Sequence, residues 1–311
     1  MATAALPGGQ VSGLKGFWAR FRGGAVWGLV RAIASNKKAT AGVVILVVFC
    51  FLAAFPGLIA HDNPQAEVYL PGQAPSSAHL LGTNAYGQDL FAQLIYSTRE
   101  SLFLAVAAGA LATFLSVLVG VTSAYVGGLT DDVLSLITDI FLVIPAFPLI
   151  VVIAAYSKNG GDPILIAVLV VTGWSYGARQ LRVQALSLRH RDFLVAARLR
   201  GERRWRVIVS EILPTMTSLI VAIFLGTTLY AIVAAAGLQF IGLGNPNTLS
   251  WGTMLYWAQN NEALQAGSPL WAIMPGICIA MLGAAFALLN YAFDEVSNPA
   301  LRPVRRRRRR P

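Results

Sequence analysis

The feature of this chain that most constrains its fold is a run of 22 residues without a charged side chain, residues 39–60. A helix of about 20 apolar residues crosses the hydrocarbon core of a membrane. Backbone groups in lipid must form hydrogen bonds within their own segment, as they do in a helix. The composition agrees, because 56% of the residues are hydrophobic and only 12% are charged. The sequence therefore predicts an all-α membrane protein whose first transmembrane helix is this run, which is too long for a cleaved signal peptide.

Five further apolar runs bring the expected number of transmembrane helices to six. They are residues 102–126, 133–155, 163–176, 215–237 and 270–292. The third span contains Pro145 and Pro148, which we expect to kink it, because proline lacks the N–H that a helix needs.

The distribution of lysine and arginine predicts the orientation of these spans. Six of these residues precede the first span, nine lie between the fourth and the fifth, and seven follow the sixth, which places 22 of the 24 on one side. Positively charged loops stay in the cytoplasm, so both termini are predicted to be cytoplasmic. The net charge of +10 and the six arginines of residues 305–310 are attributed to orientation and membrane lipid, and not to nucleic acid.

These features divide the chain into five expected segments. They are a basic cytoplasmic N-terminal segment (residues 1–38), the first transmembrane helix (39–60), an extracytoplasmic segment with an interfacial helix (61–100), a transmembrane core (101–292) with a cytoplasmic loop (177–214), and a basic cytoplasmic tail (293–311). The interfacial helix is expected from apolar residues at helical spacing after Asp89: Leu90, Phe91, Leu94 and Ile95.

The sequence contains no pattern typical of an enzyme. It has no Gly-x-x-x-x-Gly-Lys-Ser/Thr phosphate loop, so ATP, if it drives this protein, is expected to bind another subunit. Cys50 and Cys278 lie in predicted spans and are interpreted as apolar fillers. The three histidines are scattered, so no metal site is expected.

The cytoplasmic loop, residues 177–214, is rich in arginine and carries a distinctive group of small residues. Ala196 and Ala197 precede Gly201 and suit a short helix that ends in a glycine turn, with Phe193 on the same helix face as the alanines. Small side chains allow another protein to approach the backbone, so the loop is a candidate docking surface. The alternative is a solvated loop whose arginines only fix the topology, and the spacing alone does not decide between the two.

This loop resembles the cytoplasmic Glu-Ala-Ala loop of ABC importer permeases, in which the alanines are followed by a glycine and then by a Leu-Pro ending. Val195 replaces the glutamate, which removes an ion pair that the resemblance would imply with the ATPase. The resemblance implies that the stretch around residues 193–206 couples the chain to ATPase subunits. The positions that it carries over are Phe193, Ala196, Ala197, Arg198, Gly201, Glu202, Trp205, Arg206, Leu213 and Pro214.

Three further strings are similar to the C-type subunit of the dipeptide, oligopeptide and nickel importer family. They are residues 79–89 (HLLGTNAYGQD), residues 125–145 from Tyr-Val-Gly-Gly to Pro145, and residues 237–255 from GLQFIGLG to SWGTML. In the first string Asn84 replaces an aspartate and Gln88 an arginine, so the external ion pair of the family is expected to be missing. Several specific strings in the right order indicate this family more strongly than a single motif.

The resemblance implies the type I ABC importer permease fold in the cytoplasmic membrane of a prokaryote. It also implies a second homologous permease subunit, two ATPase subunits that bind ATP and magnesium, and an extracytoplasmic substrate-binding protein. Di- or oligopeptides are the expected substrate, with oligosaccharides or nickel chelates as the alternatives.

Four residues are predicted to line the translocation pathway: Asp139, Pro145, Gln239 and Phe240. Residues 237–244 alternate glycine with apolar residues and predict a bend or shallow re-entrant turn that faces the pore. Asp139 lies inside a predicted span, where an ionisable side chain marks a functional position. We favour a structural role for it, and the alternative is the proton site of a stand-alone secondary carrier.

Overall fold

The computed structural model of the protein describes residues 37–156, 161–189 and 191–297. Residues 1–36 and 298–311, Lys158 and His190 lie outside these ranges. The helices of the described chain are α1 (Lys37–Ala54), α2 (Pro56–Ile59), α3 (Leu90–Val126), α4 (Gly128–Val143), α5 (Ala146–Tyr156), α6 (Asp162–Leu188), α7 (Asp192–Leu199), α8 (Arg204–Val207), a π-helix (Ile208–Ile212), α9 (Leu213–Thr215), α10 (Thr217–Phe240), α11 (Trp251–Asn260) and α12 (Leu270–Ser297).

Five of the described helices are long and apolar enough to cross a membrane, namely α1, α3, α6, α10 and α12. The number is six if α4 and α5 are counted together as one span. The predicted all-α membrane fold is therefore confirmed.

The third predicted span, however, is broken and not merely kinked. Helices α4 and α5 meet at an angle of 89°. Ile144 between them is extended, with φ −66° and ψ 126°, because the ring of the following Pro145 excludes the helical conformation. Pro148 lies in the first turn of α5, where its missing N–H costs no hydrogen bond within the helix.

The prediction of an interfacial helix before Arg99 is wrong. Leu90 begins α3, a continuous helix of 37 residues that is about 55 Å long at 1.5 Å per residue. The side chain of Asp89 caps this helix by accepting a hydrogen bond from the backbone N–H of Ala92 at 2.7 Å. Leu94 and Ile95 are buried inside the protein, so the apolar face that suggested a membrane-surface helix packs against the rest of the chain.

The fourth predicted span is also too short. Helix α6 continues past residue 176 to Leu188, so the first third of the predicted cytoplasmic loop is an extension of this helix. Arg179 and Arg182 interrupt the apolar pattern without ending the helix, since arginine is a good helix former.

Helix α3 lies at the centre of the bundle and packs against α1, α6 and α10, while α12 packs against α1 and α10. Small residues let α3 approach α6 closely. A Cβ on Gly120 would lie 2.3 Å from the carbonyl oxygen of Ala178, and the Ser116 hydroxyl donates to the carbonyl of Trp174 at 2.6 Å. The backbones of the two helices are therefore in close contact.

The bundle has two distinct ends. One end, here called the basic end, contains the loop between α6 and α10 and nine arginines from Arg179 to Arg206. The other, the cavity end, contains the segments before α3 and before α12. Residues 55–89 and 241–269 at this end include no lysine or arginine.

Candidate functional site

At the basic end, α7 is the predicted short helix, and it ends in the predicted glycine turn. The N–H of Gly201 donates to the carbonyl of Arg198 at 2.9 Å, and the N–H of Glu202 donates to that of Ala197 at 3.2 Å. These two bonds form a Schellman motif, which needs a left-handed residue at Gly201. Its φ is +72°, and a Cβ there would meet no atom within 4 Å, so the backbone conformation and not the space requires glycine.

One face of α7 is anchored in the interior of this chain. Leu194 and Ala197 are fully buried. They pack in a cluster with residues of α3, α6, α8, the π-helix and α10 and with Met216 between α9 and α10. The residues of these helices in the cluster are Val121, Ala124, Tyr125, Leu181, Ala185, Val207, Ile212 and Ile223. The prediction that Ala197 offers its side chain to a partner is therefore wrong, because this methyl group holds α7 on the bundle.

Outside this buried contact, α7 and the following turn expose several apolar side chains. Phe193 is 37% exposed, Leu199 is 85% exposed and Trp205 is 63% exposed. Ala196 is also exposed between them. Such large apolar side chains outside the membrane-spanning helices typically mark an interaction surface. We call these four residues the outer face of the loop.

Arginines surround the outer face. Arg198 lies over the ring of Tyr125, with 5.1 Å from its guanidinium carbon to the ring centroid. Arg200 donates to Glu202 from both Nε and Nη2, at 3.0 and 2.8 Å. Arg206 is exposed on α8. Among the described residues next to the outer face, arginines outnumber acidic side chains. The loop therefore presents positive charge around an apolar centre.

The Leu-Pro ending of the loop is part of the helical return to the membrane. Leu213 and Pro214 form α9, directly after the π-helix. Proline cannot donate to a carbonyl in the preceding turn, and a π-helix accommodates the mismatch by widening that turn. Both residues are partly buried, so they direct the chain into α10 and do not belong to the outer face.

Two ion pairs link α4 to α6, and Asp139 belongs to one of them. Asp131 accepts from Nε and Nη2 of Arg182 at 2.7 and 2.9 Å. Two turns along α4, Asp139 lies 3.5 Å from Nη1 of Arg179, and these two side chains are 58% and 63% exposed. The sequence analysis missed both arginines as partners, although their three-residue spacing places them on one face of a helix.

The other three predicted pathway residues lie toward the cavity end. Pro145 marks the break between α4 and α5, and Phe240 at the end of α10 is 39% exposed. Gln239 is buried and accepts a hydrogen bond from Ser250 at 2.8 Å. The predicted bend is confirmed at Gly242, where φ is +82°. Gln239 itself, however, faces the interior, so its predicted place in the pathway is not supported by its position.

A network of neutral amides occupies the position of the missing external ion pair. Oε1 of Gln88 accepts from Nδ2 of Asn84 at 2.7 Å and from Nε2 of Gln93 at 2.6 Å. Next to it, Nδ1 of His79 lies 2.8 Å from Oδ2 of Asp89, and both residues are buried. These contacts tie the segment before α3 to the first turn of that helix.

The fold thus defines a multi-pass membrane protein with no grouping of three His, Cys, Asp or Glu side chains in its described part that would hold a metal ion. Its more specific class comes from comparison with known proteins. Residues 112–302 match the family described as the binding-protein-dependent transport system inner membrane component. The chain belongs to this family, which confirms the predicted ABC importer permease of the C type and its place as a multi-pass protein of the bacterial plasma membrane.

Curated relatives extend the similarity over nearly the whole chain. An oligopeptide transport system permease protein OppC of Mycobacterium bovis is 30% identical over 281 residues, which cover 89% of this chain and 96% of that protein. A dipeptide transport system permease protein DppC of Bacillus subtilis is 30% identical, covering 88% of this chain and 85% of the relative. A glutathione transport system permease protein GsiD of Pectobacterium atrosepticum is 30% identical, covering 84% and 85%.

Proposed function

We propose that this chain is one of two permease subunits of an ATP-driven importer of di- or oligopeptides. The relatives named for peptide, dipeptide and glutathione transport support this substrate class over oligosaccharides or nickel chelates. A component of a binding-protein-dependent system works with the other components of that system. We propose these to be a second homologous permease, two ATPases that bind ATP and magnesium, and an extracytoplasmic binding protein.

The basic end is proposed to face the cytoplasm. Its nine arginines contrast with the absence of lysine and arginine from residues 55–89 and 241–269. This asymmetry follows the positive-inside rule. We therefore propose that residues 1–38 and 293–311 lie in the cytoplasm and residues 61–89 outside the cell.

The outer face of the loop is the proposed contact with the ATPases, and it is the observation that carries this proposal. Leu199 leaves α7 on the side away from the bundle, Phe193 is partly exposed at the edge of the packed face, and Trp205 follows on α8. An exposed aromatic and aliphatic centre within a ring of arginines has the composition of a protein-binding hot spot. These side chains lie outside the membrane-spanning helices, so insertion into the membrane does not explain why they are apolar.

The anchored face of the same helix explains how a movement of the ATPases would reach the membrane. Leu194 and Ala197 are packed among residues of α3, α6 and α10. Packed cores move as rigid bodies. A displacement of α7 would therefore shift the ends of three membrane helices together, which is the mechanical requirement for alternating access.

The face of α4 and α6 that carries Asp139 and Arg179 is proposed to line the pathway. These side chains are more than half exposed on this chain. Ionised groups inside a membrane span do not face hydrocarbon and are found against water or another protein. The partner permease and the aqueous pathway would both meet this requirement.

A stand-alone proton-coupled carrier is the rival function, with Asp139 as its proton site. The family and its relatives do not favour it, because the relatives are named as permease proteins of transport systems. Asp139 also has a cationic partner within this chain, since it lies 3.5 Å from Nη1 of Arg179.

The proposal is tested by purifying the tagged full-length chain from its native membrane in mild detergent and identifying the proteins that co-purify. Two ATPases and a second permease are expected, and the complex in liposomes should accumulate short peptides only with ATP and the binding protein. Recovery of the chain alone, together with peptide uptake that needs a proton gradient and no ATP, would overturn the proposal.

A further inference from the structure

A cavity of 390 Å³ opens at the cavity end of the bundle, away from the outer face of the loop and from the ion pairs of α4. Sites for small ligands have volumes of about 300 to 1,000 Å³. Its walls come from the segment before α3, the loop and first turns of α11, and the start of α12. The residues that matter for its chemistry are Glu67, Asn84, Tyr86, Gln88, Trp257 and Trp271.

One wall of the cavity is made of amides held in a fixed arrangement. Asn84 and Gln93 both donate to Oε1 of Gln88. Oδ1 of Asn84 accepts from the backbone N–H groups of Tyr86 and Gln88, each at 2.9 Å. These bonds set the direction of the Asn84, Gln88 and Gln93 amides before a ligand arrives. Fixed amide groups suit a ligand that itself offers N–H and C=O groups.

The rim of the cavity combines aromatic rings with a carboxylate. Tyr86 and Trp257 meet edge to face, with ring centroids 5.9 Å apart. Glu67 is exposed beside them. It accepts only one long hydrogen bond, 3.3 Å from Nε2 of Gln88, and forms no ion pair with the described residues. Aromatic faces and an unneutralised carboxylate together favour a cation.

One hydrogen-bond donor on the cavity lining has no acceptor in the described structure. Trp271 is 2% exposed, and its indole N–H has no hydrogen-bond partner in the described structure. A buried polar group left unpaired costs about 1 to 3 kcal/mol. A carbonyl group that enters the cavity, with a small shift of the ring, would satisfy it.

We propose that this cavity binds the free amino terminus of a short peptide, with the ammonium group at Glu67 and the peptide groups against the amides and Trp271. The inference rests on the proposed function in peptide import and deepens it, because it gives the permease its own contact with the substrate at the extracytoplasmic face. Selection is for an unblocked amino terminus, since Glu67 is the one carboxylate among the residues that line the described cavity.

The test uses the purified full-length chain in lipid nanodiscs and two peptide probes, trialanine and its N-acetylated form, titrated by calorimetry. Trialanine is expected to bind saturably and about threefold to fivefold more tightly than the acetylated peptide, as for an ion pair with an exposed carboxylate. Glu67→Gln should remove this preference, and Trp271→Phe should weaken both peptides. Glu262→Gln changes an exposed acid of the same end outside the cavity and should behave as wild type.

The proposal is overturned if neither peptide binds, if acetylation makes no difference, or if Glu67→Gln and Glu262→Gln behave alike. It is also overturned if these variants impair only the binding of an extracytoplasmic protein, because the cavity is then a protein contact. The proposed function fails by a different result, which is peptide uptake by the chain alone that needs a proton gradient and no ATP. ATP-dependent uptake by the assembled complex, with cavity variants that bind peptides normally, would remove this inference and leave the importer intact.

Discussion

Nδ2 of Asn84 donates to Oε1 of Gln88 at 2.7 Å, in the position where the family signature has an aspartate and an arginine. The pair joins the two positions that the resemblance would link by an ion pair, but without charge. Gln88 also accepts from Gln93 on α3, so the two substitutions come with a third amide that completes the network.

The single substitution Gln88→Arg should therefore be harmful, although it restores the family residue. A guanidinium has only donors, and it would face the donors of Asn84 and Gln93. We expect a loss of about 1 to 3 kcal/mol of stability, seen as a lower Tm of the purified protein in detergent. Adding Asn84→Asp supplies a carboxylate for the arginine, and the double variant should recover part of the loss. A double variant less stable than Gln88→Arg alone would contradict this account.

The two faces of α7 lead to opposite predictions for neighbouring residues. Leu199→Asp changes an 85% exposed side chain and should leave folding intact while it weakens ATPase assembly by roughly tenfold or more, as at an interface hot spot. Ala197→Leu overfills a buried position and should lower stability by about 1 to 3 kcal/mol. Pull-down of the ATPases and thermal unfolding in detergent separate the two effects.

Leu80→Asp is the control for the first of these variants, because Leu80 is also an exposed leucine, 59% exposed, but lies at the cavity end. It should retain ATPase assembly. If Leu199→Asp and Leu80→Asp assemble equally well, the outer face of the loop is not the ATPase contact.

The sequence predicted the elements with strong local signals and failed where tertiary contacts decide. Apolar runs located the membrane helices, and Gly201 located the turn after α7, because φ +72° is a local property of glycine. The pattern at Leu94 could not reveal whether this face meets lipid or protein, since both are apolar. Ala197 posed the same problem in the loop, because a small side chain allows close packing against either the rest of this chain or a partner protein.

Long-range partners were equally hidden from the sequence. The amides of the cavity wall and the tryptophans opposite them are separated by more than 150 residues, and no local pattern links Asn84 with Trp257. The break at Pro145 was expected as a kink, and its size depends on how α5 packs against α6, which proline alone does not determine.

The close approach of α3 and α6 gives a stability prediction. A methyl group on Gly120 would lie 2.3 Å from the carbonyl oxygen of Ala178, a distance that backbone atoms cannot tolerate. Gly120→Ala should therefore lower stability by about 1 to 3 kcal/mol, although alanine is the better helix former. Gly276→Ala is the matched control in α12, because a Cβ there meets no atom within 4 Å. Equal Tm values for the two variants would show that the helices separate without cost.

The ion pairs between α4 and α6 distinguish an ATP-driven importer from a proton-coupled carrier. Asp131 accepts two short hydrogen bonds from Arg182 in a partly buried site, whereas Asp139 has one longer contact with Arg179 and is 58% exposed. Asp131→Asn should therefore lower stability by about 2 kcal/mol, since hydrogen bonds between charged groups are worth more than neutral ones. Asp139→Asn should change stability by less than about 1 kcal/mol, as expected for an exposed pair.

Transport separates the two functions more sharply than stability does. In the importer, Asp139→Asn keeps Arg179 hydrated in the pathway and leaves the energy source with the ATPases, so peptide uptake should remain dependent on ATP and unaffected by a proton ionophore. In a proton-coupled carrier the same variant removes the proton site, and uptake should stop. Uptake into liposomes that hold the wild-type or the Asp139→Asn complex, with ATP and the ionophore varied independently, gives a different pattern for each mechanism. Loss of uptake in the variant together with ionophore sensitivity of the wild type would assign the driving force to Asp139 and not to the motor at the basic end.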